Sequence, residues 1–304
     1  LHRTLSILLQ VVYLPQHEVN GSWVPIHHLL DKPQVLHSPP PQRVEFGSNG
    51  RRMAVGSLNN SITICDLLTN EGMMFWKTVG HLNGTSGNHF SLSRDGRFLA
   101  SRHKSIARQV QVWEIVESVD SGTGATTAIK NIGAVWCVAE GQSVKLAQVG
   151  SKLYLVMSCE SWLSNRGKVQ VFVRDLSLTD GGGSTWSTFL PSLEGRNAGD
   201  RFGAAVSIAE AQSQNSGYTF RVAIGSPGYK NNQGLVTVYT ASDATSTGWE
   251  QMGDDLTGLH RPEGFGSTLD ISANVNEQPF LLIGSPQWQT VVSTSSDNED
   301  IAKN

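Results

Sequence analysis

Four short strand patterns recur along this chain, and their recurrence limits what it can fold into more than any other feature. In the most regular pattern a tryptophan precedes an apolar residue by three positions and a leucine by six or seven. The tryptophans of this series lie 53, 110 and 63 residues apart, so that the middle gap spans two repeats: Trp23, Trp76, Trp186 and Trp249. The copy that lacks a tryptophan is expected around Ile129.

The other three patterns occur five times each. One alternates apolar and polar residues: Gln10–Tyr13, Ile62–Cys65, Val110–Trp113, Val169–Phe172 and Val236–Tyr239. One is almost continuously apolar, as expected for a strand buried on both faces: Met53–Ser57, Phe98–Ser101, Leu153–Ser158, Val222–Pro227 and Leu281–Pro286. A weaker strand precedes each of these: Val44–Phe46, His89–Leu92, Val144–Ala147, Ala204–Ile208 and Ser267–Ile271.

Four strand types in each repeat are typical of the blades of a β-propeller. The sequence therefore predicts an all-β chain, a single five-bladed propeller over residues 1–304 made of four-stranded antiparallel blades. Four blades are expected at 41–85, 86–132, 133–195 and 196–258, and a fifth is shared between the third and fourth strands in 1–31 and the first and second strands in 259–290, with 291–304 as a tail. In that closing blade Leu281–Ile283 would pair with Val11–Tyr13.

Composition excludes several classes of protein. Only 16% of the residues are charged and the net charge is −3, so neither charge-driven disorder nor a nucleic-acid partner is expected. The longest apolar stretch, Leu5–Leu14, is too short to span a bilayer and is interpreted as a strand. Three cysteines, Cys65, Cys137 and Cys159, allow one bridge and leave the redox compartment and the disulfide state open.

From Asp200 onward the chain resembles the FG-GAP repeats of integrin α-subunit propellers. Phe202-Gly203 and Phe265-Gly266 open two copies, and Gly225-Ser226-Pro227 and Gly284-Ser285-Pro286 stand where the family has Gly-Ala-Pro. Upstream only remnants such as Phe46-Gly47 and Gly56-Ser57 match. The resemblance implies a propeller that binds partners outside the cell.

Members of that family often carry a calcium loop, but the corresponding connections at 210–215 and 273–277 have one carboxylate each. Because calcium needs six to eight oxygens, no metal and no cofactor are predicted. Adjacent histidines such as His27 and His28 point to opposite faces of a strand and are interpreted as solvated.

No local catalytic motif is present, so the chemistry would have to come from separate blades. The acids on or next to first strands are Glu45, Asp200 and Asp270, which could meet at the central channel as a weak candidate for the carboxylate pair of a glycoside hydrolase. Three tryptophans outside the repeated series, Trp136, Trp162 and Trp288, are weak candidates for binding a partner.

The sequence thus predicts a non-catalytic, extracellular or cell-surface recognition or structural module that binds protein or glycan through loops on one face. Two alternatives stay open: a carbohydrate-active enzyme that uses the channel acids, and an intracellular WD-type scaffold. Triplets of the Asn-x-Ser/Thr type begin at Asn20, Asn59 and Asn83 and are compatible with secretion. The ligand and the oligomeric state are not specified by the sequence.

Overall fold

The computed structural model describes residues 12–13, 24–25, 41–47, 50–70, 73–106, 108–120, 124–139, 143–178, 185–212, 218–242, 246–272 and 280–286. Nearly all of its regular structure is β, which confirms the predicted all-β fold, and the sheets are arranged like the blades of a propeller. Among these residues no helix is long and apolar enough to cross a bilayer.

Four antiparallel sheets follow one another along the chain, each built in simple up-and-down order from its first strand. The first two consist of β3 (Pro41–Phe46), β4 (Arg52–Ser57), β5 (Ser61–Asn70) and β6 (Met73–Asn83), and of β7 (Thr85–Leu92), β8 (Phe98–His103), β9 (Gln109–Asp120) and β10 (Gly124–Trp136). The second sheet therefore continues past residue 132, where its blade was expected to end.

In the third and fourth sheets the outermost strand is split into two short pieces that pair with the same neighbour. They consist of β11 (Val144–Val149), β12 (Lys152–Cys159), β13 (Lys168–Asp175), β14 (Ser187–Thr188) and β15 (Leu193–Glu194), and of β16 (Ala205–Gln212), β17 (Tyr218–Ser226), β18 (Leu235–Ser242), β19 (Glu250–Gln251) and β20 (Leu256–Thr257). Two one-turn segments, α1 (Trp162–Asn165) and α2 (Tyr229–Asn232), connect second to third strands and contain residues with left-handed φ, such as Leu163 and Lys230.

Two further sheets have two strands each: β1 (Val12–Tyr13) with β2 (Val24–Pro25), and β21 (Thr268–Ser272) with β22 (Phe280–Gly284). They are separate sheets, and within the described residues β22 pairs only with β21. The predicted pairing of Leu281–Ile283 with Val11–Tyr13 is therefore not observed, and the shared fifth blade stays a prediction. The side chains of β1 and β2 are not described.

The core consists of apolar layers between neighbouring sheets. Successive residues of β12 face opposite ways: Leu155 packs towards the second sheet, whereas Tyr154 and Val156 pack towards the fourth, all with no exposed surface. Such a strand has to be apolar on both faces, as its continuous pattern predicted. The repeated tryptophans that the structure describes, Trp76, Trp186 and Trp249, also pack against core clusters.

Glycines permit the closest approach between blades. A Cβ on Gly225 would lie 2.0 Å from the carbonyl oxygen of Gly266 in the next blade, and one on Gly56 would lie 1.8 Å from the oxygen of Gly87. Real Cβ atoms do not approach backbone this closely, so both positions require glycine. The two glycines of the sequence motifs therefore meet at the contact between neighbouring blades.

One covalent link also joins two blades. Cys137, which follows β10, is bonded to Cys159 at the end of β12, with their Cα atoms 6.1 Å apart, a separation usual for disulfides. The remaining cysteine, Cys65, is a buried thiol.

Candidate functional site: the central channel

The first strands of the five sheets that begin with β3, β7, β11, β16 and β21 surround one cavity. β3 contacts β7, β7 contacts β11, β11 contacts β16 and β16 contacts β21. Residues of all five strands or of the turns that follow them line a pocket of about 640 Å³. Because a first strand has a neighbour on one side only, its other edge turns backbone N–H and C=O groups towards the cavity.

Side chains from the preceding blade satisfy several of these edge amides. The backbone N–H of Leu92 donates to Glu45 Oε2 at 2.7 Å, that of Leu146 to Ser91 Oγ at 3.2 Å and that of Ile271 to Ser207 Oγ at 3.3 Å. The accepting side chains lie on the first strands β3, β7 and β16. This polar ring follows from the general requirement that buried backbone groups be paired.

Two further charged side chains, Lys145 on β11 and Asp270 on β21, belong to this ring together with Glu45. Glu45 Oε1 accepts hydrogen bonds from Arg43 and lies 3.6 Å from the Nζ of Lys145, while Asp270 Oδ1 lies 3.9 Å from the same ammonium. Lys145 thus connects a carboxylate of β3 to one of β21, the first and last of the five strands. The hydroxyl of Ser207 also donates to Asp270 Oδ1 at 2.7 Å.

The two carboxylates of this ring differ in their surroundings. Glu45 has 14% of its side chain exposed, and both of its oxygens accept hydrogen bonds. Asp270 has 66% of its side chain exposed, and Lys145 and Ser207, its partners in the described part of the chain, both contact Oδ1. Oδ2 of Asp270 is therefore the ring oxygen that is best placed to contact water or a bound molecule.

A second charged pair lies further along the pocket. Arg94, in the turn between β7 and β8, has its guanidinium 4.0 Å from Glu210 near the end of β16, and 66% of the Arg94 side chain is exposed against 18% for Glu210. Burial raises the pKa of the Glu210 carboxyl above its usual range, and the charge of Arg94 opposes that shift. Burial thus favours the protonated form of the Glu210 carboxyl.

The turn that carries Arg94 is well fixed. Gly96 N–H donates to the Ser93 carbonyl at 2.8 Å, and Asp95 Oδ1 accepts from the Ser93 hydroxyl at 2.6 Å and from the Arg97 amide at 2.9 Å. The backbone of Arg94 is thus held in place while its side chain extends into the pocket.

The structure brings two of the three predicted channel acids together. Glu45 and Asp270 converge on Lys145, but Asp200 lies elsewhere: its buried carboxylate accepts from the backbone N–H and the Nδ2 of Asn197, both at 3.1 Å. Asp200 precedes the first strand and belongs to a loop between blades, which is why it does not reach the channel.

The structure describes two of the three predicted tryptophan candidates, and their role in binding stays a prediction. Trp136 is 59% exposed at the end of the outer strand β10. Trp162 is half-buried in α1, with Lys168 Nζ 5.0 Å from its ring centre. Trp288 lies outside the described residues.

Sequence analysis missed the cations of the site and the carboxyl of Glu210. A signal for Lys145 was present, because it occupies the repeat position of Glu45 and Asp270. In the sequence Glu210 stands out only as the single carboxylate of the connection at 210–215, and its burial depends on neighbouring blades. Within the described residues, no three side chains of the His, Cys, Asp or Glu type are arranged to hold a metal ion.

Likenesses to known proteins are found among solved structures. No protein-family model matches the chain, and no curated protein matches it. Among solved structures that match, a candidate 6-phosphogluconolactonase from Bacteroides fragilis aligns with 72% of this chain at 13% identity and a TM-score of 0.41. The alignment covers 55% of that protein, so the chain spans about half its length.

The name of the matched protein describes an enzyme, which contradicts the prediction of a non-catalytic recognition or structural module. The physical reason for the error is that the charged groups of the channel come from four separate strands and from one turn. A site assembled in this way leaves no local sequence motif, so the absence of motifs does not exclude catalysis.

Proposed function

We propose that the chain is a hydrolase that cleaves a C–O bond of a small, hydroxylated, sugar-derived substrate in the channel pocket. The observation that supports this proposal is that a half-buried carboxyl with a raised pKa, Glu210, shares one pocket with an exposed carboxylate, Asp270. Carboxyl groups held in contrasting environments are the usual pair for general acid–base hydrolysis.

The proposed roles follow from these environments. Glu210 donates a proton to the leaving oxygen as the C–O bond breaks. Asp270 accepts a proton from the attacking water through Oδ2, the oxygen that is not engaged by Lys145 and Ser207. Lys145 positions Asp270, and Glu45 in turn holds Lys145 in place. The hydroxyl and backbone groups of the first strands are suited to bind sugar hydroxyls.

The experiment is a substrate panel with matched variants. Purified protein is incubated with glycosides and with aldonolactones, and the products are followed by mass spectrometry against the uncatalysed rate. Glu210→Gln should lower kcat/KM on any substrate that is turned over by about 100-fold or more, the usual contribution of general acid catalysis. Glu250→Gln, which changes an exposed carboxylate on the outer strand β19, is the control.

Full activity of Glu210→Gln would contradict the assignment of the proton donor. No turnover of any member of the panel by the wild-type protein would contradict the proposed reaction.

We infer further that the last two blades are related to FG-GAP repeats. The contact between Gly225 and Gly266 supports this inference, because it explains on steric grounds why both motif positions are glycine. A contact of the same kind recurs between Gly56 and Gly87. The extracellular location stays a prediction. The bond between Cys137 and Cys159 is compatible with it, because disulfides persist in oxidising compartments.

A further inference from the structure

The balance of charge in the channel pocket depends on one proton. Six charged side chains line it: Arg43, Glu45, Arg94, Lys145, Glu210 and Asp270. With all of them ionised, three cations balance three carboxylates. When Glu210 is protonated, the lining carries an excess of one positive charge.

Most of these charges are already engaged with one another. Arg43 and Lys145 contact Glu45, and Lys145 also contacts Asp270. Arg94 differs from them, since the carboxylate nearest its guanidinium in the described residues is that of Glu210 at 4.0 Å, longer than a hydrogen bond. The excess charge that protonation creates therefore resides at Arg94, whose side chain extends into the pocket.

We propose that the channel pocket binds a small anion at Arg94 and that binding of the anion promotes protonation of Glu210. An anion on Arg94 neutralises the charge that stabilises the ionised form of Glu210. By linkage, protonation of Glu210 and binding of the anion favour each other by the same factor.

The inference rests on the proposed function for its choice of ligand, which combines sugar hydroxyls with one negative charge. A sugar acid is the simplest molecule of that chemistry. In catalysis the anionic group of such a substrate would bind beside Glu210. Its binding would favour the protonated form of Glu210, which is the form that acts as the proton donor.

The test is isothermal titration calorimetry with gluconate as the probe and sorbitol as its neutral counterpart. Titrations at about pH 5 and about pH 8, each in buffers of different ionisation enthalpy, measure both the affinity and the number of protons taken up. We expect gluconate to bind about tenfold more tightly at the lower pH, which by linkage corresponds to an average uptake of about a third of a proton over this pH range, and the affinity for sorbitol to be independent of pH.

Three variants identify the groups. Arg94→Gln should weaken gluconate binding by about tenfold, as expected for loss of a charge-assisted contact. Glu210→Gln should bind gluconate without proton uptake and with equal affinity at both pH values. Arg97→Gln is the control, since Arg97 is similarly exposed but pairs with Glu114 away from the channel.

Wild-type affinity in Arg94→Gln, no detectable binding of gluconate, or proton uptake that persists in Glu210→Gln would each overturn the inference. Because no turnover is involved, gluconate binding with proton uptake in a protein that is inactive on the substrate panel would support this inference while contradicting the proposed hydrolysis.

Discussion

At the scale of single residues, the environment of a side chain decides its chemistry more than its type does. Glu45, Glu210 and Asp270 line one pocket with three different surroundings: two cations and an amide around Glu45, burial beside one arginine for Glu210, and exposure beside a lysine for Asp270. The repeat pattern predicted that Glu45 and Asp270 lie on first strands. It could not predict the burial of Glu210, since that depends on contacts between blades.

The stability of the protein should depend on the charge of Glu210. Burial raises its pKa in the folded state, so the contribution of this group to stability is fully present below the unfolded pKa of about 4.3 and is lost as the pH rises through the folded value. Because glutamine does not titrate, Glu210→Gln removes this pH-dependent loss of stability. We therefore expect the Tm of this variant, relative to wild type, to rise between about pH 4 and about pH 8.

Thermal melts of Glu210→Gln and of Glu250→Gln across this pH range provide the measurement. The difference between Glu250→Gln and wild type should stay constant with pH. A constant difference for Glu210→Gln as well would mean that burial of Glu210 does not disfavour its charged form.

At the scale of elements, the strand pattern was predictable because each strand type has its own burial. Second strands are apolar on both faces because they lie between two core layers, and the almost continuous apolar runs identified them. The contacts between blades were not predictable, because they join residues far apart in sequence that share no local pattern. The approach of Gly225 to Gly266 is one such contact.

Substitution of Gly225 should expose this contact. In Gly225→Ala the new Cβ would lie 2.0 Å from the carbonyl oxygen of Gly266, so two blades would have to separate. We expect a loss of about 3 kcal/mol in the free energy of unfolding, at the upper end of the usual cost of overpacking. Denaturant titration measures it.

Gly248→Ala is the matched control, because a Cβ added at that position would have no atom within 4 Å. Its stability should stay close to that of the wild type. An equally small effect of Gly225→Ala would show that the blades do not pack through this glycine.

At the scale of the whole molecule, the five first strands around one cavity are consistent with the predicted five-bladed ring. The second strand of the last sheet is unlike its counterparts: Leu282 is 74% exposed, whereas Ala223 and Val156, at the corresponding register, have no exposed surface. In the described residues this face is not covered by a neighbouring blade, and the predicted third strand, Val11–Tyr13, would add along the free edge of β22. The repeat pattern predicted how many strands of each type exist, but closure depends on contacts between distant parts of the chain.

The central claim is that the channel pocket is the place where the chemistry occurs, and blocking the channel tests it most directly. Ser272 lines the pocket and is exposed, whereas Ser187 is exposed on the outer strand β14. In Ser272→Cys and Ser187→Cys a bulky maleimide should react at the introduced thiol. The native Cys65 is buried with its pKa raised to about 11, and the other two cysteines are bonded to each other.

The measurement is the turnover rate of each labelled variant on a substrate identified by the panel, compared with the same variant before labelling. We predict that labelling lowers the rate of Ser272→Cys by more than about tenfold, because it obstructs binding in the pocket, and leaves Ser187→Cys unchanged. Full turnover by labelled Ser272→Cys would contradict the assignment of the active site to the channel.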